Sequence, residues 1–174
     1  MLTVSQFLDW SQNRRERYEL QDGLVITLQS ERASHRRAKA SAFLALRGAI
    51  AKAGLPCHAE VDGGTVRITE KTAYRPDALV YCGEALGDET LEVPNPVIVV
   101  EVLSPGSAER DLDDKLAGYF LVPSIQHYLI VNPEARRLVH QARAADGMYT
   151  RILHAGELRL DPPGLKVYVA DFFG

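Results

Sequence analysis

The sequence has few cysteines and no long apolar run. These two absences argue against a disulfide-rich protein and against a membrane-spanning protein. Cys57 and Cys82 are its only cysteines, too few for a disulfide framework, and the lack of a CxxC spacing argues against a structural zinc site. No apolar stretch approaches the roughly 20 residues that a membrane-spanning helix needs. The N-terminal segment also lacks the apolar core of a signal peptide. The sequence therefore predicts a soluble, cytoplasmic protein without a membrane partner.

The sequence also lacks an excess of positive charge. Its formal net charge is -3 over 174 residues, so the chain as a whole is not built to attract nucleic acid. A polyanion would have to meet a local basic patch or a bound metal ion. The composition is ordinary for a globular protein, with 46% hydrophobic residues, and we find no repeat, linker or low-complexity segment. We therefore expect a single domain over residues 1–174.

Local patterns predict the order of helices and strands. Thr3 and Gln6 form a capping-box pattern that predicts a short helix to about Asn13, and YELQDGLVITL predicts a hairpin. The later patterns predict a helix over about 34–53, a hairpin of CHAEVD and TVRITE around Gly63-Gly64, strands RPDALVYC and VIVVEVL, a helix over about 107–120, and strands HYLIVN, RRLVHQAR, GMYTRILH and GLKVYV. This order indicates an α/β or α+β sheet with helices packed on it.

Glu101 stands in a run, VIVVEVL, that is otherwise aliphatic. Both faces of this strand are apolar, which is typical of the centre of a sheet. An unpaired charge there would cost several kcal/mol, so Glu101 needs a basic partner or a metal ion. The preceding strand begins with Asp77. If the two strands pair antiparallel, Asp77 and Glu101 come together, and a divalent cation between them would offset their repulsion.

Lys115 is a second candidate partner for Glu101. It lies on the helix that follows the Glu101 strand and shares one helix face with Asp111 and Tyr119, at a spacing of four residues. That face could look back at the end of the strand. A structural salt bridge between Lys115 and either Asp111 or Glu101 is an equal interpretation of these residue types.

A basic cluster surrounds the start of the long helix. It is the best candidate in the sequence for a face that contacts phosphates, although a solvated helix face is the commoner explanation of such a run. The remaining histidines, including His127 and His140, have no ligand spacing and are interpreted as structural. The cluster consists of Arg32, His35, Arg36, Arg37 and Lys39.

Several short motifs in a fixed order resemble one known family. They are YEL-x-DG-x-V, a helix led by a histidine, RPD-x-x-V, VVEVLSP, D-x-x-x-K-x-x-x-Y and a strand that ends in NP. The sequence is similar, from about Thr3 to Phe173, to the Uma-type restriction endonucleases. This bacterial family, formerly a domain of unknown function, is a branch of the PD-(D/E)XK nuclease superfamily. The resemblance implies a restriction-endonuclease-like mixed β-sheet flanked by helices, with a metal site at one edge.

The resemblance also implies roles for individual residues. Asp77 matches the aspartate of the PD motif, and Glu101 matches the acidic residue of the (D/E)XK motif. Leu103 stands where the superfamily has its lysine, so the lysine of this family has moved to the next helix, at Lys115. Glu19 matches an upstream acidic residue that several branches use.

The implied activity is that of a Mg²⁺-dependent endodeoxyribonuclease, a hydrolase acting on ester bonds. Asp77, Glu101 and the backbone carbonyl of Val102 would hold Mg²⁺ or Mn²⁺, and His35, which matches a histidine at the head of the long helix, has no assigned role. DNA is the expected substrate, and cutting both strands favours a homodimer. The alternative is a non-catalytic protein of this fold that binds nucleic acid or another protein.

Overall fold

The structure is a computed structural model that describes residues 1–62, 64–104 and 109–174. The predicted helix start at Ser107 and the side chain of Asp111 lie outside the described part. The elements in chain order are α1 (Val4–Ser11), β1 (Tyr18–Gln21), β2 (Leu24–Thr27), α2 (Ala33–Ala53), β3 (Cys57–Val61), β4 (Val66–Arg67), β5 (Ala73–Tyr74), β6 (Ala78–Cys82), β7 (Pro96–Val102), α3 (Glu109–Tyr119), β8 (His127–Asn132), β9 (Arg137–Ala144), β10 (Gly147–Leu153), β11 (Glu157–Leu160), β12 (Leu165–Tyr168) and a 3₁₀ helix (Val169–Phe172).

The first helix begins at the capping box that the sequence predicts, and the first hairpin turns at the predicted two residues. The Thr3 hydroxyl accepts from the Gln6 amide, and the Gln6 side chain accepts from the Thr3 amide, so the predicted capping box is confirmed. Strands β1 and β2 pair antiparallel around Asp22 and Gly23. Both turn residues have a positive φ, 49° and 80°, the conformation that a two-residue hairpin turn requires.

The long helix α2 packs one apolar stripe onto the main sheet. Its buried residues include Ala38, Ala42, Leu46 and Ala49, which are spaced so that they share a face. Gly54 ends the helix in the left-handed conformation, with a φ of 62°. The small alanines let the helix lie close to the sheet. Both the predicted helix and its stop are confirmed.

The main sheet has six strands in the order β10-β9-β8-β7-β6-β3. All pairs are antiparallel except β7 with β8, and α3 connects these two strands. Strand β7 therefore lies inside the sheet, as its two apolar faces predict. Ile98 and Val100 pack in the core under α2, and Val99 packs in a second core with Tyr119 of α3. The mixed sheet with helices confirms the predicted fold class.

The predicted hairpin around Gly63-Gly64 is wrong, and Gly63 lies outside the described residues. Strand β3 pairs with β6 in the six-stranded sheet, whereas β4 pairs with β5 in a separate four-stranded sheet, β2-β1-β5-β4. Gly64 packs against the side chain of Val93. The contact is so close that a Cβ on Gly64 would lie 2.5 Å from a methyl group of Val93. Tertiary packing thus overrides a local pattern that favours a turn.

Cys57 and Cys82 lie opposite each other on β3 and β6 and form one disulfide. Asp77 lies just before the opposite end of β6.

No described helix is long and apolar enough to cross a membrane.

Two buried histidines on neighbouring strands form a pair in the main sheet. His127 Nδ1 lies 2.9 Å from His140 Nε2, and His127 Nε2 lies 2.9 Å from the carbonyl oxygen of Pro162. Burial lowers the pKa of both rings and brings that of His140 to about 4. The two rings are therefore neutral at pH 7.

We expect this pair to destabilise the fold as the pH falls. A histidine whose pKa is lower in the folded chain binds fewer protons when folded. Its contribution is therefore complete above the unfolded value of about 6.5 and is lost as the pH falls towards about 4. The measurement is the free energy of unfolding in urea at about pH 5 and about pH 7. The loss on acidification should be smaller in His140→Gln than in the wild type. The exposed His154→Gln is the control, and equal losses in all three proteins would contradict the prediction.

Candidate functional site

A cleft of about 430 Å³ collects most of the candidate residues. It lies where β1, the start of α2, the start of β6, the end of β7 and α3 meet. Its lining includes Glu19, His35, Asp77, Glu101 and Lys115. Four elements distant in sequence thus bring the predicted catalytic side chains into one pocket.

Asp77 is held in place from both sides of its carboxylate. Its backbone amide donates to the Val100 carbonyl, 2.9 Å away, as the predicted antiparallel pairing of β6 and β7 requires, and that pairing is confirmed. Oδ2 accepts from the Val102 amide at 2.7 Å, and Oδ1 lies 2.9 Å from Lys39 Nζ. Burial alone would raise the pKa of Asp77, but His35, Lys39 and the amide together hold it below its usual value.

Glu101 accepts two hydrogen bonds from α3. Its Oε1 lies 3.1 Å from Lys115 Nζ and 2.7 Å from the Tyr119 hydroxyl, which donates to it. Burial, together with the nearby carboxylates of Asp77 and Glu19, raises the pKa of Glu101 to about 7 against the opposing effects of Lys115 and Tyr119. Near neutral pH this carboxyl group is therefore partly protonated, and a bound cation would favour its charged form.

Lys115 bridges two carboxylates that come from different strands, Glu19 on β1 and Glu101 on β7. Its Nζ lies 2.9 Å from Glu19 Oε1 as well as 3.1 Å from Glu101. Glu19 also accepts from the backbone amide of Arg75 at 2.9 Å. Burial would lower the pKa of Lys115, but the two carboxylates outweigh it and raise that pKa. Of the two salt bridges that the sequence allows, the one with Glu101 is present.

The basic cluster divides into exposed and buried members. Arg32, Arg36 and Arg37 are exposed, and Arg32 lines the mouth of the cleft. Lys39 is only 1% exposed, and its ammonium group binds Glu31 and Asp62 in addition to Asp77. Its charge is therefore directed into the protein, towards the predicted metal ligand.

His35 also lies inside the site and not on the surface. Its Nε2 lies 3.5 Å from Asp77 Oδ2 and 3.9 Å from Glu31 Oε1. Burial would lower the pKa of His35, but these two carboxylates raise it overall. Among the described residues, Glu31, His35 and Asp77 offer three possible metal-ligand atoms that all lie within 4.8 Å of one another.

Sequence reasoning missed several members of the site. Glu31 precedes His35 by four residues, a spacing that could have revealed it, but it stands before the first residue of α2. Tyr119, which the sequence places on the same helix face as Lys115, is fully buried and donates a hydrogen bond to Glu101. Asp62 and Arg17 gave no signal. Arg17 reaches Asp62 at 3.1 Å and also pairs with Glu31.

The donor set at the meeting point of β6 and β7 suits a hard divalent cation. Asp77 and Glu101 offer carboxylate oxygens, the ligands that Mg²⁺ and Mn²⁺ prefer. Val102 lines the same cleft, and its amide already fixes the orientation of the Asp77 carboxylate. The residues present therefore fit such an ion.

Tyr119→Phe is expected to raise the pKa of Glu101 above its value of about 7. The Tyr119 hydroxyl donates to the carboxylate and stabilises its charged form, so its removal favours the protonated form. The measurement is a pH titration of isotope-labelled glutamate carboxyl carbons by NMR. Tyr149→Phe, which changes an exposed ring, is the control. A Glu101 pKa that is unchanged or lower in Tyr119→Phe would show that the hydroxyl does not support the charge.

The chain is similar in sequence to a family of putative restriction endonucleases and in fold to a putative nuclease. Residues 4–170 match the family model described as Uma2, putative restriction endonuclease. Two uncharacterized proteins of Synechocystis sp. (strain ATCC 27184 / PCC 6803 / Kazusa) are each 26% identical: sll1609 over 84% of this chain and 83% of its own, and slr1290 over 97% and 89%. A crystal structure of a putative nuclease belonging to DUF820 from Anabaena variabilis ATCC 29413 shares the fold. Its TM-score is 0.77 and its identity 14%, over 99% of this chain and 98% of that one.

Proposed function

The chain belongs to the Uma2 family of putative restriction endonucleases, and from this premise we propose that it is a metal-dependent endonuclease that hydrolyses phosphodiester bonds of DNA. The observation that carries the proposal is the convergence of Asp77, Glu101 and Lys115 in one cleft. Buried ion pairs add little stability compared with apolar residues of similar volume. A scaffold without chemistry to perform would therefore gain little from this set.

The proposed roles follow from the positions of the side chains. Asp77, Glu101 and the carbonyl of Val102 would hold Mg²⁺ or Mn²⁺, which when bound polarises a phosphodiester and lowers the pKa of a bound water. Lys115 is placed to donate to a non-bridging phosphate oxygen and to offset the negative charge of the transition state. Glu19, 2.9 Å from that ammonium group, orients it.

We place the DNA backbone along the exposed arginines at the mouth of the cleft. Three exposed arginines lie in the first turns of α2 or directly before it: Arg32, Arg36 and Arg37. Arg32 also lines the cleft. His35 and Lys39 face Asp77 instead, so we assign them to supporting the carboxylate and not to direct contact with phosphate. Binding through the arginines should weaken steeply with added salt, because released counterions favour association at low salt.

We further propose that residues 1–174 form one catalytic domain that acts as a homodimer in the bacterial cytoplasm. A cut through both strands of a duplex needs two sites, which a two-fold axis supplies. In a bacterial cell, the cytoplasm is the compartment that holds the chromosomal DNA.

The test is incubation of the protein with supercoiled plasmid, with linear duplex, with single-stranded DNA and with RNA. Each substrate is offered Mg²⁺, Mn²⁺ or a chelator. We expect nicked and linear plasmid with either metal and intact plasmid with the chelator. No cleavage of any substrate by the wild-type protein would contradict the proposal.

A non-catalytic protein that binds nucleic acid is the second candidate. The observation that favours it is that both predicted metal ligands already have ammonium partners, Lys39 for Asp77 and Lys115 for Glu101. In that case the same plasmid would be retarded in a gel but not cut, and added metal would change neither result.

A further inference from the structure

A histidine and two carboxylates, His35, Glu31 and Asp77, meet in the lining of the cleft. His35 Nε2 lies 3.5 Å from Asp77 Oδ2 and 3.9 Å from Glu31 Oε1. Two ligands of one tetrahedral ion, each about 2.1 Å from the metal, lie roughly 3.4 Å apart. The three side chains therefore need only small adjustments to share one ion.

The imidazole of His35 is poorly satisfied by protein groups. The ring is about nine-tenths buried, with 9% exposure, and its Nδ1 has no hydrogen-bond partner among the described residues. Its Nε2 contacts are longer than the 2.7–3.2 Å that ordinary hydrogen bonds span. A buried polar ring normally has close partners. Nε2, and not Nδ1, is the ring nitrogen that faces the two carboxylates, at distances close to those between two ligands of one ion.

Lys39 already binds one of the three ligand atoms, since its ammonium group contacts Glu31 Oε1, so an ion at this site would compete with it for Glu31. Its ammonium group binds Asp77 Oδ1, whereas His35 faces the other oxygen, Oδ2. Within this group of ion pairs the three carboxylates of Glu31, Asp62 and Asp77 share the charges of Lys39 and Arg17. One negative charge remains while the His35 ring is neutral, and either a bound cation or protonation of His35, whose pKa Asp77 and Glu31 raise against the effect of burial, would balance it.

We propose that Glu31, His35 and Asp77 form a second cation site, distinct from the Asp77–Glu101 site and joined to it through Asp77. Imidazole is a ligand that transition metals accept more readily than Mg²⁺ does. The site therefore takes a first-row transition-metal ion and discriminates against Mg²⁺. Zn²⁺ binds it more tightly than Mn²⁺, following the general order of affinities for nitrogen and oxygen ligands. A contribution of this ion to cleavage rests on the proposed nuclease function, but its binding does not.

The test uses Mn²⁺ as the probe and needs no substrate. Calorimetry should count two Mn²⁺ per wild-type chain and one per chain in His35→Gln and in Glu31→Gln. Pulsed electron paramagnetic resonance of the Mn²⁺-loaded protein should show coupling to an imidazole nitrogen. Excess Mg²⁺ should leave that coupling in place, whereas Zn²⁺ should remove it by displacement.

Three variants separate the outcomes. The coupling should disappear in His35→Gln and persist in the exposed His154→Gln, and in Glu101→Gln the nitrogen-coupled ion should remain while the other is lost. A single Mn²⁺ without nitrogen coupling, lost in Glu101→Gln but kept in Glu31→Gln, would overturn this inference and leave the proposed nuclease site standing. Coupling that survives in His35→Gln, or no Mn²⁺ binding at all, would also overturn it. Plasmid cleavage by the wild-type protein tests the nuclease proposal separately.

Discussion

Asp77→Asn is expected to lower the rate of phosphodiester cleavage at least about a thousandfold, or roughly 4 kcal/mol in the activation barrier. Asparagine has nearly the same shape, and its amide oxygen can still accept from the Val102 amide, which lies 2.7 Å from the native carboxylate. What it loses is the negative charge that the proposed metal needs. Lys39 keeps Glu31 and Asp62 as partners, so the fold should survive the change.

The measurement combines initial rates on plasmid with calorimetric binding of Mn²⁺. Both should collapse in Asp77→Asn, while the circular dichroism spectrum and the cooperative melt remain. Asp88→Asn, which makes the same chemical change on an exposed loop, should behave as the wild type. An Asp77→Asn protein that cuts at the wild-type rate would remove Asp77 from the site.

Lys115→Met is expected to slow cleavage about a hundredfold to a thousandfold, the usual effect of losing one group that stabilises transition-state charge. In contrast to Asp77→Asn, it should tighten the binding of Mn²⁺, because the ammonium group competes with a metal for Glu101, 3.1 Å away. The two variants therefore lose activity for opposite reasons. Calorimetry distinguishes them even though a cleavage assay does not.

Lys115→Met should also cost stability in the absence of metal. It leaves Glu19 and Glu101 buried without the cation they share, and breaking such a pair typically costs about 3–5 kcal/mol. Added Mn²⁺ should therefore raise the melting temperature of this variant more than that of the wild type. Lys52→Met, at an exposed position near the end of α2, is the control. Wild-type cleavage by Lys115→Met would show that this lysine only balances charge.

The sequence predicted the centre of the site well because two strong local patterns coincide there. A carboxylate in an aliphatic run needs a partner, and strand alternation together with antiparallel pairing brought Asp77 to Glu101. Lys115 followed from helix spacing and from the resemblance. These are short-range patterns that a single sequence displays.

The surroundings of the site were harder to predict because they depend on distant segments. Lys39 stands in a run of arginines that looks solvated, and two of its three carboxylate partners, Asp62 and Asp77, lie far along the chain. The Gly63-Gly64 hairpin failed for the same reason, since Gly64 packs against Val93. Burial of a charge or of a glycine is decided by tertiary neighbours that local periodicity does not reveal.

The contact between Lys115 and Glu19 joins residues that are 96 positions apart. A ribosome releases the chain from its N-terminus, so Glu19, α2 and Asp77 emerge well before the lysine that completes their constellation. Strand β7, helix α3 and strand β8 follow later in the chain, and β7 and α3 carry Glu101, Lys115 and Tyr119. A nascent chain therefore carries an incomplete site for most of its synthesis. On the proposed nuclease function, the chain could not cut DNA before Lys115 has emerged.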